Sequence, residues 1–592
     1  MDKELLNQML DVLDVRKSVE HIEWLTNNTP NRLSGAGQDL KAAEYICKIM
    51  DYYGLESKIL DFEAYNSHPG RSEVTVVYPE NATLKSLPCG HINSTPVGGT
   101  EFEVVYIASG GEDDYIGKDV EGKAVLVEVS YAPATPEKAM LASEHNAAAL
   151  ICMNWGKPEN ELICNRALKA VWGNPTPENF GAIPQIAGVS LTRKEGEYLR
   201  DLCLYNDKVI VNLDVQSSRE WMHLPQPMGI LKGTEEPEKF LLVSAHLDAW
   251  CPGVTCNATG VGTMLEMARV FGMFKDQIKR SIYFLFWNGH EIAEAAGSTW
   301  FQDYFYENIR DNCIGYINID STGMLGAVKY VADASRELYD FAFETITDVL
   351  NEEINVNYLA KTGDQSFFGV GVPSIAGRIS YVSEVVKEQN GATLGYWNHT
   401  IEDGIDKMSV ENIAKDNRVN VGVLLGLTND PVLPYNFEKT CEDMEDKVEF
   451  IRSESNNVVD VTGIAKRIEE LKGNVVKLNA LKEKGNKGEL NKAAVKKLND
   501  TFLRLSRSIT NAFYTNAEKY SQDSYGRTIL SKPLPLLYPM IELSKMDKES
   551  LEYKLLYTKM LRNRNRVADS VSLANEYVTL FLDKQLKSRE LS

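Results

Sequence analysis

The chain has 592 residues, 43% hydrophobic and 25% charged, with a formal net charge of −21 and a pI near 5.0. That length exceeds one core and points to about three or four domains of ordinary soluble composition. The acidic balance argues against a nucleic acid or an anionic membrane as partner.

The chain opens on Met1-Asp-Lys-Glu-Leu-Leu-Asn, with no basic segment leading into an apolar run, so no signal peptide is read. No apolar run reaches the roughly eighteen residues of a membrane span. The nine cysteines are scattered without paired spacing, the pattern of reduced thiols in a cytoplasmic protein.

Residues 2–28 read as helical, with Leu5, Leu6, Met9, Leu10 and Leu13 at helical spacing. Asn31-Arg32-Leu33-Ser34-Gly35 is a loop, and Gln38 to Tyr53 an amphipathic helix closed by Gly54. Ser57 to Glu63 alternates as a strand. From about Ser72 short β-rich runs follow: Val74–Val77, Phe102–Ala108 and Lys123–Val129, then a helix over Pro136–Asn146 and a buried strand over Ala147–Met153. Ile183-Pro-Gln-Ile-Ala-Gly-Val-Ser precedes a helix that starts at Thr192.

At Phe240-Leu-Leu-Val-Ser the texture becomes α/β, a continuous apolar run suited to a strand buried on both faces. Helices over Val261–Phe274, Thr299–Tyr306 and Ser335–Asn351 alternate with strands over Ser281–Trp287 and Cys313–Ile319. Such alternation predicts a mostly parallel sheet with helices on both faces, and ligands beyond the carboxyl ends of its strands. After Pro434 the strand signal fades into helices such as Glu442–Arg452, Val461–Glu483 and Asp547–Leu591, with Pro533, Pro535 and Pro539 near a turn. No coiled-coil repeat is sustained, so this part reads as a helical bundle.

Chemistry concentrates at the predicted strand ends. In order come Ser244-Ala-His246-Leu-Asp248, Pro252-Gly-Val-Thr-Cys256-Asn-Ala-Thr-Gly260, Phe286-Trp-Asn-Gly-His290-Glu291, Tyr316-Ile-Asn-Ile-Asp320 and Asn398-His399-Thr400-Ile-Glu402-Asp403. Three of the chain's eight histidines fall in these segments. Imidazoles and carboxylates grouped in this way suit divalent metal ions.

These five segments resemble the di-zinc exopeptidase family that includes the bacterial zinc aminopeptidases, glutamate carboxypeptidase II and the transferrin receptor. The resemblance implies a discontinuous catalytic domain over residues 1–69 and 226–433, a β-rich protease-associated insert over 70–225 and a C-terminal helical domain over 434–592 that contributes to a homodimer. It implies metal ligands at His246, Cys256, Glu291, Asp320 and His399, one or two zinc ions, and an Asp248 carboxylate that orients His246. The substrate is expected to be a peptide or small amide.

Two positions depart from the family's pattern. The bridging aspartate is replaced by Cys256, which offers one donor atom where a carboxylate offers two. The general-base glutamate is replaced by His290, whose ordinary pKa of about 6.5 suits proton transfer. Glu294 lies four residues on, so on a helix it would share a face with His290, as its orienting partner, as the base itself or as an ordinary i,i+4 pair. Lys361-Thr-Gly-Asp364-Gln-Ser resembles the family's Asp-containing loop. Arg378, on a loop after the strand Val372–Ala376, is either a clamp for a substrate carboxylate or a surface residue. Tyr396, with Tyr381 and Trp397, either lines the pocket or covers the core.

The reading is thus a metal-dependent hydrolase of peptide or amide bonds, with His290 as base. Three others stay open. One is altered chemistry (cyclase, lyase or other amidohydrolase) on a mononuclear Cys256–Glu291–His399 site. The second is a non-catalytic descendant, and the third covalent catalysis by Cys256 with His290 as base.

Overall fold

The computed structural model describes residues 2–359, 361–525 and 533–590, the side chains of 585–590 excepted. A mostly parallel sheet forms the centre of the chain. The strand Glu236–His246 lies between Arg280–Trp287 and Cys313–Asn318, both parallel to it, and Ser374–Ser380 follows in parallel beside Cys313–Asn318. Lys329–Ala334 enters antiparallel against Ser374–Ser380. Phe240, Leu241, Leu242 and Val243 are buried on both faces of this sheet, as their unbroken apolar run requires. Helices Thr259–Met273, Tyr339–Leu350 and Val410–Asn429 pack their apolar faces into the same core.

The N-terminal residues 2–28 form two helices, Lys3–Asp11 and Val15–Asn28. The break lies at Asp14, whose side chain accepts from Arg16 N at 3.1 Å and starts the second helix. The expected short strands at 57–63 and 74–77 belong to one 23-residue strand, Glu56–Tyr78, paired antiparallel with the 22-residue Ile210–Leu231. Pro69 and Gly70 interrupt its pattern, and the register shifts between Pro69 and Ser72. At one end this ribbon joins the central sheet through Arg280–Trp287; at the other it pairs with Thr100–Tyr106.

A second core, from Val74 to Val215, surrounds a parallel array of Thr100–Tyr106, Ala124–Glu128, Ala149–Met153 and Ala187–Leu191. The helical residues beyond Pro434 share the core of the central sheet. Glu438–Glu454, Thr462–Asn486, Lys492–Tyr514 and Leu551–Glu590 bury Met444, Leu471, Phe502 and Val571 in it. Leu591, the expected end of the last helix, lies outside the described residues.

Helix Val15–Asn28 carries a buried histidine. His21 contacts the Tyr45 hydroxyl through Nδ1 at 2.7 Å and the Tyr53 hydroxyl through Nε2 at 3.0 Å, with no carboxylate on either nitrogen. Burial pushes its pKa from 6.5 down to about 4. The folded state therefore holds a neutral ring that the unfolded state protonates below about pH 6.5. Its contribution is full above that pH and is lost as pH falls toward 4, a loss of about 3 kcal/mol. Chemical unfolding at pH 7 and pH 4.5 is expected to show a smaller acid destabilisation in His21→Gln than in the parent chain. Equal acid destabilisation would reject the assignment.

Candidate metal centre and active site

The donors converge because each terminates a strand of the central sheet or lies on the loop after it. His246 is the last residue of Glu236–His246, His290 and Glu291 follow Arg280–Trp287, and Asp320 follows Cys313–Asn318. Their side chains form two groups, His246–Cys256–Asp320 and Cys256–Glu291–His399, each with all donor atoms within 4.8 Å of one another. Cys256 belongs to both. Its Sγ lies 3.6 Å from His246 Nε2, 3.5 Å from Glu291 Oε1 and 3.6 Å from His399 Nε2. His246 Nε2 is 3.4 Å from Asp320 Oδ1, and His399 Nε2 is 3.1 Å from Glu291 Oε2. A tetrahedral zinc site with bonds of about 2.0–2.3 Å has ligand–ligand edges of about 3.3–3.6 Å. The donor set therefore fits zinc.

The loop that carries Cys256 is held from two sides. The Asp403 carboxylate accepts from Thr255 N and Oγ1 at 2.8 and 2.7 Å and from Cys256 N at 3.1 Å. From below, the buried Arg32 guanidinium donates to the carbonyls of Leu247, Pro252 and Gly253. Gly253 has a φ of 61°, and a Cβ there would lie 2.5 Å from that of Ala249, so the turn requires glycine.

Asp248 holds the neighbouring loop. Its carboxylate accepts from Ser34 Oγ at 2.6 Å, Glu291 N at 2.9 Å and His290 N at 3.2 Å. The expectation that this carboxylate orients His246 is corrected. His246 Nδ1 lies 2.8 Å from the Asp248 backbone carbonyl and 3.8 Å from its carboxylate. The tautomer is the same, with the Nε2 lone pair facing the other donors.

His290 stacks on His246 with ring centroids 3.9 Å apart. Its Nδ1 donates to Asp364 Oδ2 at 3.0 Å. Asp364 Oδ1 accepts from Ser298 Oγ at 3.0 Å, and Ser298 contacts Ser366 Oγ at 2.8 Å. Trp172 Nε1 donates to Ser366 at 2.8 Å. Burial alone would lower the pKa of His290; the adjacent Asp364 outweighs it and raises the ring well above its ordinary value.

Glu294 does not share a helix face with His290. Residues 291–295 form turns, Glu294 and Ala295 have φ of 50° and 61°, and the helix starts only at Ala296. The Glu294 carboxyl lines the cavity, where burial pushes it up to about 8. Glu291 is affected by burial in the same upward direction, but the contacting His399 prevails and holds it at about 2. Burial raises the Cys256 thiol well above its usual range.

The donors open into a cavity of about 350 Å³ lined by Cys256, His290, Glu291, Asp320, His399 and Glu294. Arg378 lies within the strand Ser374–Ser380, not on a loop after it, and donates to the Asp320 carbonyl at 3.0 Å while lining the cavity. Tyr396 is not among the lining residues; it packs edge-on against Trp397.

The opposite wall comes from the segment Cys164-Asn165-Arg166. Cys164 Sγ donates to the Asn398 carbonyl at 3.1 Å, and Asn165 donates to the His399 carbonyl from both N and Nδ2 at 2.9 Å. These contacts place Arg166 in the cavity lining, stacked at 4.1 Å on Trp155, with Nε and Nη2 buried and without a hydrogen-bond partner. Sequence reasoning missed Arg166, whose segment is placed by contacts 234 residues away in the chain, and the Asp364–His290 pair, 74 residues apart.

Residues 228–423 match the model of peptidase family M28. Among curated proteins the chain is similar to the probable glutamate carboxypeptidase VP8 of Zea mays, 22% identical over 72% of this chain and 68% of that protein. It is also similar to transferrin receptor protein 1 of Gallus gallus, 30% identical over 22% of this chain and 17% of that one. Among solved structures, the peptidase M28 precursor of Shewanella amazonensis SB2B matches with a TM-score of 0.58 at 16% identity, over 73% of this chain and 96% of its own. The zinc aminopeptidase BSAP of Bacillus subtilis matches with a TM-score of 0.54 at 19% identity, over 71% and 97%. Residues 228–423 are thus similar to peptidase family M28, and the likeness to the solved structures extends the shared fold beyond them.

Proposed function

We propose that the chain is a metal-dependent exopeptidase-like hydrolase of peptide or amide bonds, in which His290 and Asp364 handle the proton. One observation carries this reading: two metal-ligand groups meet on Cys256 directly beside the His290–Asp364 pair, in one cavity. His246, Asp320, Cys256, Glu291 and His399 would hold zinc, as one or two ions. When bound, zinc polarises the scissile carbonyl and the attacking water.

The residues of the chain do the rest. Asp364 holds Nδ1 of His290, which leaves Nε2 as the ring nitrogen open to the cavity. Bound cations would oppose the upward pull of Asp364 on this ring, so that a neutral His290 could take the proton of the water there and return it to the departing amine. Its stacking on His246 fixes the ring plane. Asp364 also offsets the positive charge that His290 gains, so the pair does what a glutamate base does with one side chain.

Arg166 supports a substrate that ends in a carboxylate. Its guanidinium faces the metal ligands across the cavity with two unpartnered nitrogens, a cost relieved by a bidentate anion. The Zea mays relative's name, a probable glutamate carboxypeptidase, agrees with that choice. Arg378, bonded to Asp320, is the poorer clamp. We further propose that residues 70–225 are a protease-associated insert. Exposed Leu551, Leu555, Leu573 and Leu580 on the last helix support a homodimer surface, and the nine free cysteines a cytoplasmic setting.

His290→Ala is expected to lower kcat on acyl-amino acids about 10²–10⁴-fold while metal content stays unchanged. Asp364→Asn is expected to lower it about tenfold to a hundredfold. Turnover by His290→Ala at the parent rate rejects the proton role. Arg166→Met is expected to raise KM about tenfold to a hundredfold for acyl-amino acids and to leave KM for the corresponding amides nearly unchanged. Equal effects on both substrate series would show that Arg166 does not bind the carboxylate.

A further inference from the structure

The two ligand groups have one atom in common. Cys256 Sγ is nearly equidistant, at 3.5–3.6 Å, from His246 Nε2 of one group and from Glu291 Oε1 and His399 Nε2 of the other. A carboxylate in this place could give one oxygen to each ion. A cysteine has no second donor, so it either serves one ion or bonds both through the same sulfur.

We propose that Cys256 is a bridging thiolate, its sulfur shared by two thiophilic divalent ions, one completed by His246 and Asp320 and the other by Glu291 and His399. This rests on the metal-hydrolase reading and goes beyond it in the number of ions, the bridging atom and the class of metal.

Three observations carry the bridge. First, the sulfur touches both groups, His246 of one and Glu291 and His399 of the other. Its backbone is fixed by the Asp403 carboxylate, which holds Thr255 and Cys256 together, and Asp403 belongs to the same loop as His399. Second, each group supplies one imidazole and one carboxylate besides the sulfur, so neither is the poorer site. A single ion on Cys256, Glu291 and His399 would leave a complete His246–Asp320 pair beside it, with its donor atoms at metal-ligand spacing. Third, the charges suit two ions. A thiolate, Glu291 and Asp320 carry three negative charges against four positive, and the cavity still takes an anionic ligand. Binding forms two metal–sulfur bonds and releases the thiol proton to solvent, with no change of oxidation state. A thiolate in the bridge shifts preference toward zinc, cobalt and cadmium and away from magnesium and manganese.

The test uses the full chain, stripped of metal by chelation and titrated with Co²⁺, with bound ions counted by elemental analysis. Thiolate-to-cobalt charge transfer is followed in the near ultraviolet. A bridge predicts two ions per chain and a band that grows through the second equivalent to about twice its value after the first, since each ion gains one bond to sulfur. Cys256→Asp is expected to retain two ions and lose the band. Cys256→Ser, a smaller change, is expected to lose the band with the apoprotein's thermal midpoint preserved. Cys251→Ser, which removes the exposed thiol nearest in sequence, is expected to leave the band intact.

A band that saturates after the first ion while a second binds would overturn the bridge and leave the hydrolase reading in place. Saturation at one ion would do the same. A band that survives in Cys256→Asp assigns the sulfur to another residue and also overturns it. Failure to bind any ion would remove both the bridge and the metal-dependent reading.

Discussion

The site depends on a buried carboxylate. Asp248 is fully enclosed, and a charge in that position is tolerated only when its oxygens are hydrogen-bonded. Its three partners come from two parts of the chain: Ser34 before the first strand, and the backbone of His290 and Glu291 after Arg280–Trp287. Its own carbonyl faces His246 Nδ1. One residue thereby sets the tautomer of a metal ligand and the path of the loop that carries both another ligand and the proton carrier. Asp403 plays the same part for the opposite side, joining the Cys256 loop to the His399 loop. Two buried carboxylates thus tie together the loops that border the cavity.

The long ribbon explains how a distant segment enters that cavity. Glu56–Tyr78 and Ile210–Leu231 run from the central sheet into the second core, so the two cores are connected by paired strands instead of a linker. The second core presents Cys164, Asn165 and Arg166 to the loop around His399. Asn165 gives both its donors to the His399 carbonyl, and His399 has a φ of 60°, a conformation that a non-glycine residue holds only when its neighbours impose it. The ligand loop and the wall that faces it are therefore positioned together.

How much of this is legible in the sequence follows from distance along the chain. His246, His290, Glu291 and Asp320 are legible because each follows an apolar strand run, and a parallel sheet gathers such ends on one edge. Arg32 is not legible: the carbonyls it holds lie 215 to 221 residues further on. Asp364 lies 74 residues from His290, and nothing in Lys361-Thr-Gly-Asp364 states which ring it faces. The helical pairing of His290 with Glu294 fails for a local reason. His290 and Glu291 must face the cavity while the next residues reverse direction, and the positive φ at Glu294 and Ala295 accomplishes that turn. A four-residue spacing carries no information once the segment is not helical.

The residues at positions 256 and 290 also bear on each other. A glutamate base brings its own negative charge to the ions. An imidazole does not, and here the charge stands behind it on Asp364, on the far side of the ring from the cavity. Cys256, as a thiolate, would concentrate its charge on one polarisable atom. Glu291 lies against His399 and Asp320 against His246, and the surrounding helices and strands pack through the apolar core. Binding replaces those contacts, and the thiol proton, with bonds to metal. In a site with carboxylates opposed to imidazoles and a thiol at their common vertex, ion binding is thus coupled to release of the thiol proton.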